Sequence, residues 1–206
     1  MTTVPDPEDL TARARIRDAA LWHFGEHGFE RATIRGIAET AGVSLGLVRH
    51  HFGSKQALRE ACDEHIMKMI HRLHEQAAST SQSAINPVAV MGPYQRYLAR
   101  ALTEGAAAPV FDDMVRIGEQ WLAEADKSRP DPPDVDPKAR SAVIAAMALS
   151  VAVLSQHVSR GLGADVNTPE GEAKLLRAIV DIYSHPLLSP EEAAAIREAL
   201  DRGQTP

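Results

Sequence analysis

Apolar residues return every three to four positions along most of this chain, the period of helices that bury one side. Early in the chain, Ile16, Ala19, Ala20 and Phe24 fall at i, i+3, i+4 and i+8. This predicts a helix from about Leu10 to His27, with Gly28 placed to end it in the left-handed conformation. Next, Thr33 stands as an N-cap, Ile34, Ile37, Ala38 and Ala41 form a buried stripe, and Gly42 stops the helix. Ser44 caps a third helix reaching about His51, with Val43, Val48 and Phe52 turned to a small core. Ser54 caps a long helix from about Lys55 to Ala78.

The pattern then breaks. Residues 79–92 are Ser-rich and carry Asn86-Pro87, with Gly92-Pro93 at their end, which predicts a loop or hinge. Helices are expected at about 94–104 and 110–127. Between Arg129 and Pro137 four prolines exclude helix and sheet, so this stretch is an exposed linker. A long helix at about 138–160 follows, then one at about 169–184 and a short one near 190–202. The 138–160 helix is apolar nearly all round. Val143, Met147, Val151, Leu154 and Val158 make one stripe; Ala142, Ala146, Leu149 and Val153 make another. Such a helix needs cover on two sides. Leu175, Leu176, Ile179, Val180 and Tyr183 of the following helix offer some of it. The pattern leaves open whether that cover comes from the same chain or from a second copy. No strand pattern and no internal repeat occurs, so the fold class is all-α.

Composition agrees: 44% of the 206 residues are hydrophobic and only 4% aromatic, with Ala and Leu dominant, both good helix formers. A single cysteine, Cys62, excludes an internal disulfide framework and fits a reducing compartment. The polar, acidic residues 1–9 read as a disordered arm rather than a signal peptide, and a cytoplasmic protein is expected. The most apolar run, Ala142 to Leu154, is too short to span a bilayer, so no membrane partner is expected.

The net charge of −6 is a mild objection to a polyanionic partner. Its distribution weakens the objection. Up to Ala78 there are ten Lys/Arg and eleven Asp/Glu, and seven of the nine histidines lie there too. Most of the negative excess belongs to the rest of the chain, and phosphate binding needs a basic surface, not a basic protein.

The segment from Gly28 to Leu58 carries the chemistry. Two short helices joined by a glycine turn can lay the second in the major groove of double-stranded DNA. Ser44, Leu45, Gly46, Leu47, Arg49 and His50 fall off the core-facing stripe and are free to meet base edges. Arg49 can donate bidentately to guanine, and the leucines can touch thymine methyls. Thr33, Ser54 and Lys55 sit at helix N-termini, where free N–H groups favour phosphate. A metal reading of His65, His71, His74 and Glu75 lacks an evident fourth ligand, so no metal or cofactor is expected. No nucleophile–base pair or phosphate loop occurs, and an enzyme is not expected.

Gly28-Phe29, Ala32-Thr33, Ile37-Ala38-x-x-Ala41-Gly42-Val43-Ser44-x-Gly46 and His51-Phe52-x-Ser54-Lys55-x-x-Leu58 together resemble the DNA-binding domain of the TetR family of transcriptional regulators. The resemblance covers roughly residues 10–60; the remaining helices agree in number and order. It implies a disordered arm over 1–9, a three-helix helix-turn-helix domain over 10–58, and a helical ligand-binding and dimerisation bundle over 59–206. It implies that Arg35, Leu45, Gly46, Leu47, Arg49 and His50 face bases, and that Thr33, His51 and Lys55 face phosphates. It implies a homodimer through the helices at about 138–160 and 169–184, a palindromic operator, and an unknown small-molecule effector that releases the DNA. An apolar effector site is expected among Met91, Tyr94, Phe111, Met114, Trp121, Met147 and His157. The alternative is a helical protein-interaction module. Two departures stand out: Leu45 where many members have Lys, and Arg49 where many have Tyr. Gly36 stands where an acidic residue is common, which predicts a weaker second helix.

Overall fold

In the computed structural model, residues 7–79, 94–105 and 107–203 are described. They form ten α-helices and no strand. The first four are α1 (Pro7–Arg31), α2 (Ile34–Ala41), α3 (Leu45–Phe52) and α4 (Lys55–Ser79). They are followed by α5 (Gln95–Thr103), α6 (Ala108–Ala125), α7 (Pro137–Val153), α8 (Ser155–Leu162), α9 (Pro169–Ser184) and α10 (Pro190–Asp201).

Caps set most of the starts. The side chains of Thr33, Ser44, Ser54, Asp136, Thr168 and Ser189 each accept a hydrogen bond from the backbone N–H three residues on. These satisfy donors that a helix start leaves orphaned. Ser189 and Glu192 complete a reciprocal capping box. The helix expected from Leu10 begins at Pro7 and is interrupted at Gly28, where a stop was expected, though the backbone there (φ 78°, ψ 163°) is not left-handed helical. One further turn, to Arg31, leads into α2.

One core runs through the first seven helices. Ile16, Phe24, Ile37, Val48 and Phe52 close the three-helix unit, and Leu58, Cys62, Ile66 and Ile70 line one face of α4 at four-residue intervals. Burial pushes the Cys62 thiol pKa well up, so it stays a neutral packing group. Helix α5 lies across α1. A Cβ on Gly25 would sit 3.0 Å from the backbone nitrogen of Tyr97, so the missing side chain is what lets the two helices approach. Tyr97 reaches on to α4, where its hydroxyl donates to the Asp63 carboxylate. Burial raises the Asp63 pKa, and the Tyr97 hydrogen bond opposes that rise.

This arrangement has a testable asymmetry. Tyr97→Phe leaves a half-buried carboxylate without its donor, and is expected to cost roughly 1–3 kcal/mol in denaturant melts. Asp63→Asn keeps an acceptor while removing a charge that burial disfavours, and is expected to be neutral or mildly stabilising at pH 7. Equal losses from the two variants would show that the pair is not held as described.

The 138–160 region departs from expectation. The chain bends by 79° between α7 and α8, at Leu154 (φ −98°, ψ 17°). The bend carries Val158 and Leu162 onto a second, small cluster with Val166, Leu175, Leu176 and Ile179. A straight helix would carry them away from it. The buried face of α7 also differs. Ser141, Ala145, Leu149 and Ala152 are buried, with Ser141 bonded to the Val115 carbonyl of α6, while Val143, Met147, Val153 and Leu154 are exposed. Small residues win that face because α6 comes very close at Gly118. No single described helix is long and apolar enough to cross a membrane. The bent α7–α8 pair is apolar enough by composition, but α7 is a core helix packed on α6.

Candidate nucleic-acid interface

The turn between α2 and α3 is closed by backbone geometry. Gly42 takes φ 65°, and Val43 N–H donates to the Ala38 carbonyl at 3.0 Å, the bond of a Schellman stop. Val43 packs against the core and fixes the angle at which α3 leaves. Val48 and Phe52 then anchor α3 by one face, and they settle which side chains point outward.

Ser44, Leu45, Gly46, Arg49 and His50 are exposed, and Leu47 is half-buried beside them. Leu45 is a large apolar side chain left 40% exposed on that face. A Cβ on Gly46 would meet only the Ser44 side chain, 3.8 Å away, so the surface there is shallow and open. Thr33 and Arg35 are exposed at the start of α2; Arg35 is held loosely by Glu39, 3.7 Å away.

Two candidates are placed less freely. Lys55 donates through Nζ to the Glu30 carbonyl at 3.2 Å, and the same ammonium lies 4.4 Å from the centre of the Phe29 ring. It staples the start of α4 to the end of α1 and presents only part of its charge outward. His51 is half-buried, and its Nε2 is shielded from solvent with no hydrogen-bond partner among the described residues. Of the ten candidates, His51 is the least well presented to a phosphate.

Sequence reasoning missed what lies beneath α2. The His23 ring of α1 packs on Gly36, where a Cβ would stand 3.1 Å from His23 Cε1, and its Nε2 is 2.8 Å from Thr40 Oγ1. Gly36 thus makes room for an inter-helix contact, which offsets the helix-propensity cost expected of it. A glycine inside an otherwise regular helix was the available signal.

Burial, then the neighbouring His27, lowers the His23 pKa. His65, edge-on to Tyr94 at 5.8 Å, is also lowered, by burial first and then Arg17. Both rings are harder to protonate in the fold than in the unfolded chain, which takes up protons near pH 6.5. Their contribution is therefore full above that pH and is lost as pH falls below it. Melting temperature is expected to drop between pH 7 and pH 5. His23→Gln, which retains a polar contact and cannot titrate, is expected to flatten the drop; an unchanged profile would remove His23 from the account.

The residues expected around an effector are dispersed. Met114 is buried in the main core, Phe111 and Tyr94 lie half-buried against it, and Trp121 sits further along α6 beside Tyr183 of α9. Met147 and His157 are exposed; Met91 lies outside the described residues. Of the histidines weighed as ligands on α4, the side chain of His74 lies outside the described residues. His71 approaches Asp113 of α6, 2.6 Å from Nε2 to Oδ2.

A three-helix head that displays one face of its third helix, joined by a long helix to an all-helical body, defines a helix-turn-helix transcriptional regulator. The comparisons with known proteins agree. Residues 16–62 match the family described as bacterial regulatory proteins, tetR family. The HTH-type transcriptional regulatory protein RaaS of Mycobacterium tuberculosis (strain ATCC 25618 / H37Rv) is 41% identical over 145 residues, covering 66% of this chain and 68% of that one. The HTH-type transcriptional regulator BetI of Burkholderia mallei (strain NCTC 10229) is 30% identical over 123 residues, 58% of this chain and little more than half, 56%, of BetI. Among solved structures, the fatty acid degradation regulator FadR from Bacillus halodurans has a TM-score of 0.66 at 17% identity, covering 90% of this chain and 98% of that one. The chain belongs to the TetR family of transcriptional regulators.

Proposed function

We infer that this regulator is a ligand-responsive repressor that binds a palindromic operator as a homodimer in the cytoplasm and is released by a small molecule. It has a helix-turn-helix domain to about residue 58 and a sensing and dimerisation body beyond it; no catalytic step is assigned to it. The observation that carries this reading is the division of α3, where Val48 and Phe52 are buried and Leu45, Gly46, Arg49 and His50 face outward. In this reading Arg49, His50 and Leu45 meet base edges, with Ser44, Gly46 and Leu47 closing the contact and Arg35 at its margin. Thr33 and Lys55 lie toward phosphates.

The dimer is supported by what the body leaves uncovered. Val143, Met147, Val153 and Leu154 on α7 and its end, and Val180, Ile182 and Tyr183 on α9, are all at least 40% exposed. A two-fold axis through these helices covers both sets and places two recognition helices about 34 Å apart, one turn of DNA. The effector is read as a small apolar molecule from the chain's apolar and aromatic composition; Tyr94 and Phe111 pack on the main core and Trp121 beside Tyr183, so they do not by themselves mark its site. Such an effector acts only by binding the DNA-free conformation more tightly.

Duplex-binding measurements across a salt series test the reading. A steep fall in affinity with salt is expected. Absence of duplex binding at low salt would leave the interaction-module alternative standing.

A further inference from the structure

A cavity of about 900 Å³ opens where the head meets the body. Its walls come from α1, from α5, from the end of α7, and from the bent α8 with the loop that follows it. It is separate from the apolar residues along α6. Three guanidinium groups line it: Arg96 and Arg100 of α5, and Arg160 in the last turn of α8. Two carboxylates, Glu26 and Asp165, lie among them and leave the lining with one net positive charge. The remaining wall is largely hydroxyl, amide and small residues, including Thr103, Ser155, Gln156 and Ser159.

That volume is at the upper end of small-molecule sites. The lining is wrong for an apolar effector, since Val153 is its one large aliphatic residue. Guanidinium forks in a concave polar wall suit carboxylate or phosphate oxygens. The arginines are not idle. Arg96 pairs with Glu26, and Arg100 donates to the Gly25 carbonyl at 3.1 Å and the Glu26 carbonyl at 3.5 Å. These contacts fasten α5 to α1 just before the break at Gly28. An entering anion competes with Glu26 for Arg96 and with the α1 carbonyls for Arg100. Arg160 is placed differently: its Nη2 lies 3.4 Å from His157 Nδ1 within α8.

We propose that this cavity is an effector site for a polar small molecule bearing a phosphate or carboxylate group, clamped between the α5 arginines and Arg160. Occupancy loosens the attachment of α1 to α5 and so couples to the position of the DNA-binding head. The coupling rests on the DNA-binding reading above; the site does not.

Pyrophosphate and citrate are the probes for the two anion types, titrated calorimetrically into the full-length protein at fixed ionic strength. Saturable one-site binding of at least one probe is expected. Arg160→Ala is expected to weaken it roughly tenfold or more, and Arg160→Lys to recover part of the loss. Arg160 is exposed, so the variant's melting temperature should match the parent's. Failure of both probes to saturate, or equal affinity in Arg160→Ala, overturns the site. With a bound probe, weaker operator affinity in the parent and not in Arg160→Ala is expected; unchanged affinity at saturation overturns the coupling.

Discussion

Arg49→Ala is expected to weaken operator binding by between about 30-fold and about 25,000-fold while leaving the fold intact. A bidentate arginine contact is worth about 1–3 kcal/mol of base discrimination. A symmetric dimer makes it twice, so the loss is about 2–6 kcal/mol, which converts to that range. Stability is expected to change by less than about 0.5 kcal/mol, because Arg49 is exposed and its neighbours Val48 and Phe52 hold α3. Arg35→Ala supplies the contrast. Arg35 has 85% of its side chain exposed, is partly neutralised by Glu39 and stands at the margin of the base contacts, so its removal should lower affinity and disturb operator ranking less than Arg49→Ala does. Arg49→Lys keeps the charge and loses the fork; it should behave more like Arg49→Ala in sequence ranking than in non-specific affinity. Competition assays against operator variants measure all three. An Arg49→Ala protein that ranks operators as the parent does would mean that another side chain reads them.

The head was legible because its signals are local. Thr33, Ser44 and Ser54 each cap a helix, Gly42 supplies the left-handed stop, and the short helices bury the residues that their spacing marks. The body resisted the same reading for a physical reason. A helix apolar on every side has no phase in its pattern, so Val143, Met147 and Val153 look as buryable as Leu149. What decides is the distance of closest approach to α6, and that belongs to Gly118 and Ser141 together. Neither the bend at Leu154 nor the seating of α5 on Gly25 leaves a periodic trace. The candidate effector residues suffered most, since their composition suggested a cavity and nothing local showed which of them face one another. The α1–α5–α8 cavity went unseen because its residues are ordinary surface arginines and serines, brought together only by the bend.

The second large effect is expected at that α6–α7 crossing. A Cβ on Gly118 would fall 2.3 Å from Ser141 Oγ but 3.5 Å from Ser141 Cβ. The hydroxyl has nowhere convenient to go. Ser141 is fully buried, and its Oγ donates to the Val115 carbonyl at 2.5 Å. Gly118→Ala therefore either breaks that bond and buries an unsatisfied hydroxyl, or forces apart the most extensively packed helix pair. The first outcome costs about 1–3 kcal/mol and the second about as much. Alanine's better helix propensity returns only about 1 kcal/mol. A net loss of up to about 2 kcal/mol is expected for Gly118→Ala, and more for Gly118→Val, whose branched side chain must separate the helices. Ser141→Ala alone removes a buried donor and should cost about 1 kcal/mol. The double variant Gly118→Ala/Ser141→Ala meets at ordinary carbon contact and should be more stable than the two single losses added together. A favourable coupling energy of at least about 0.5 kcal/mol in denaturant melts is the expected sign of a direct clash. Additive losses would mean that the helices relax independently, and that Gly118 and Ser141 do not set the spacing of the body.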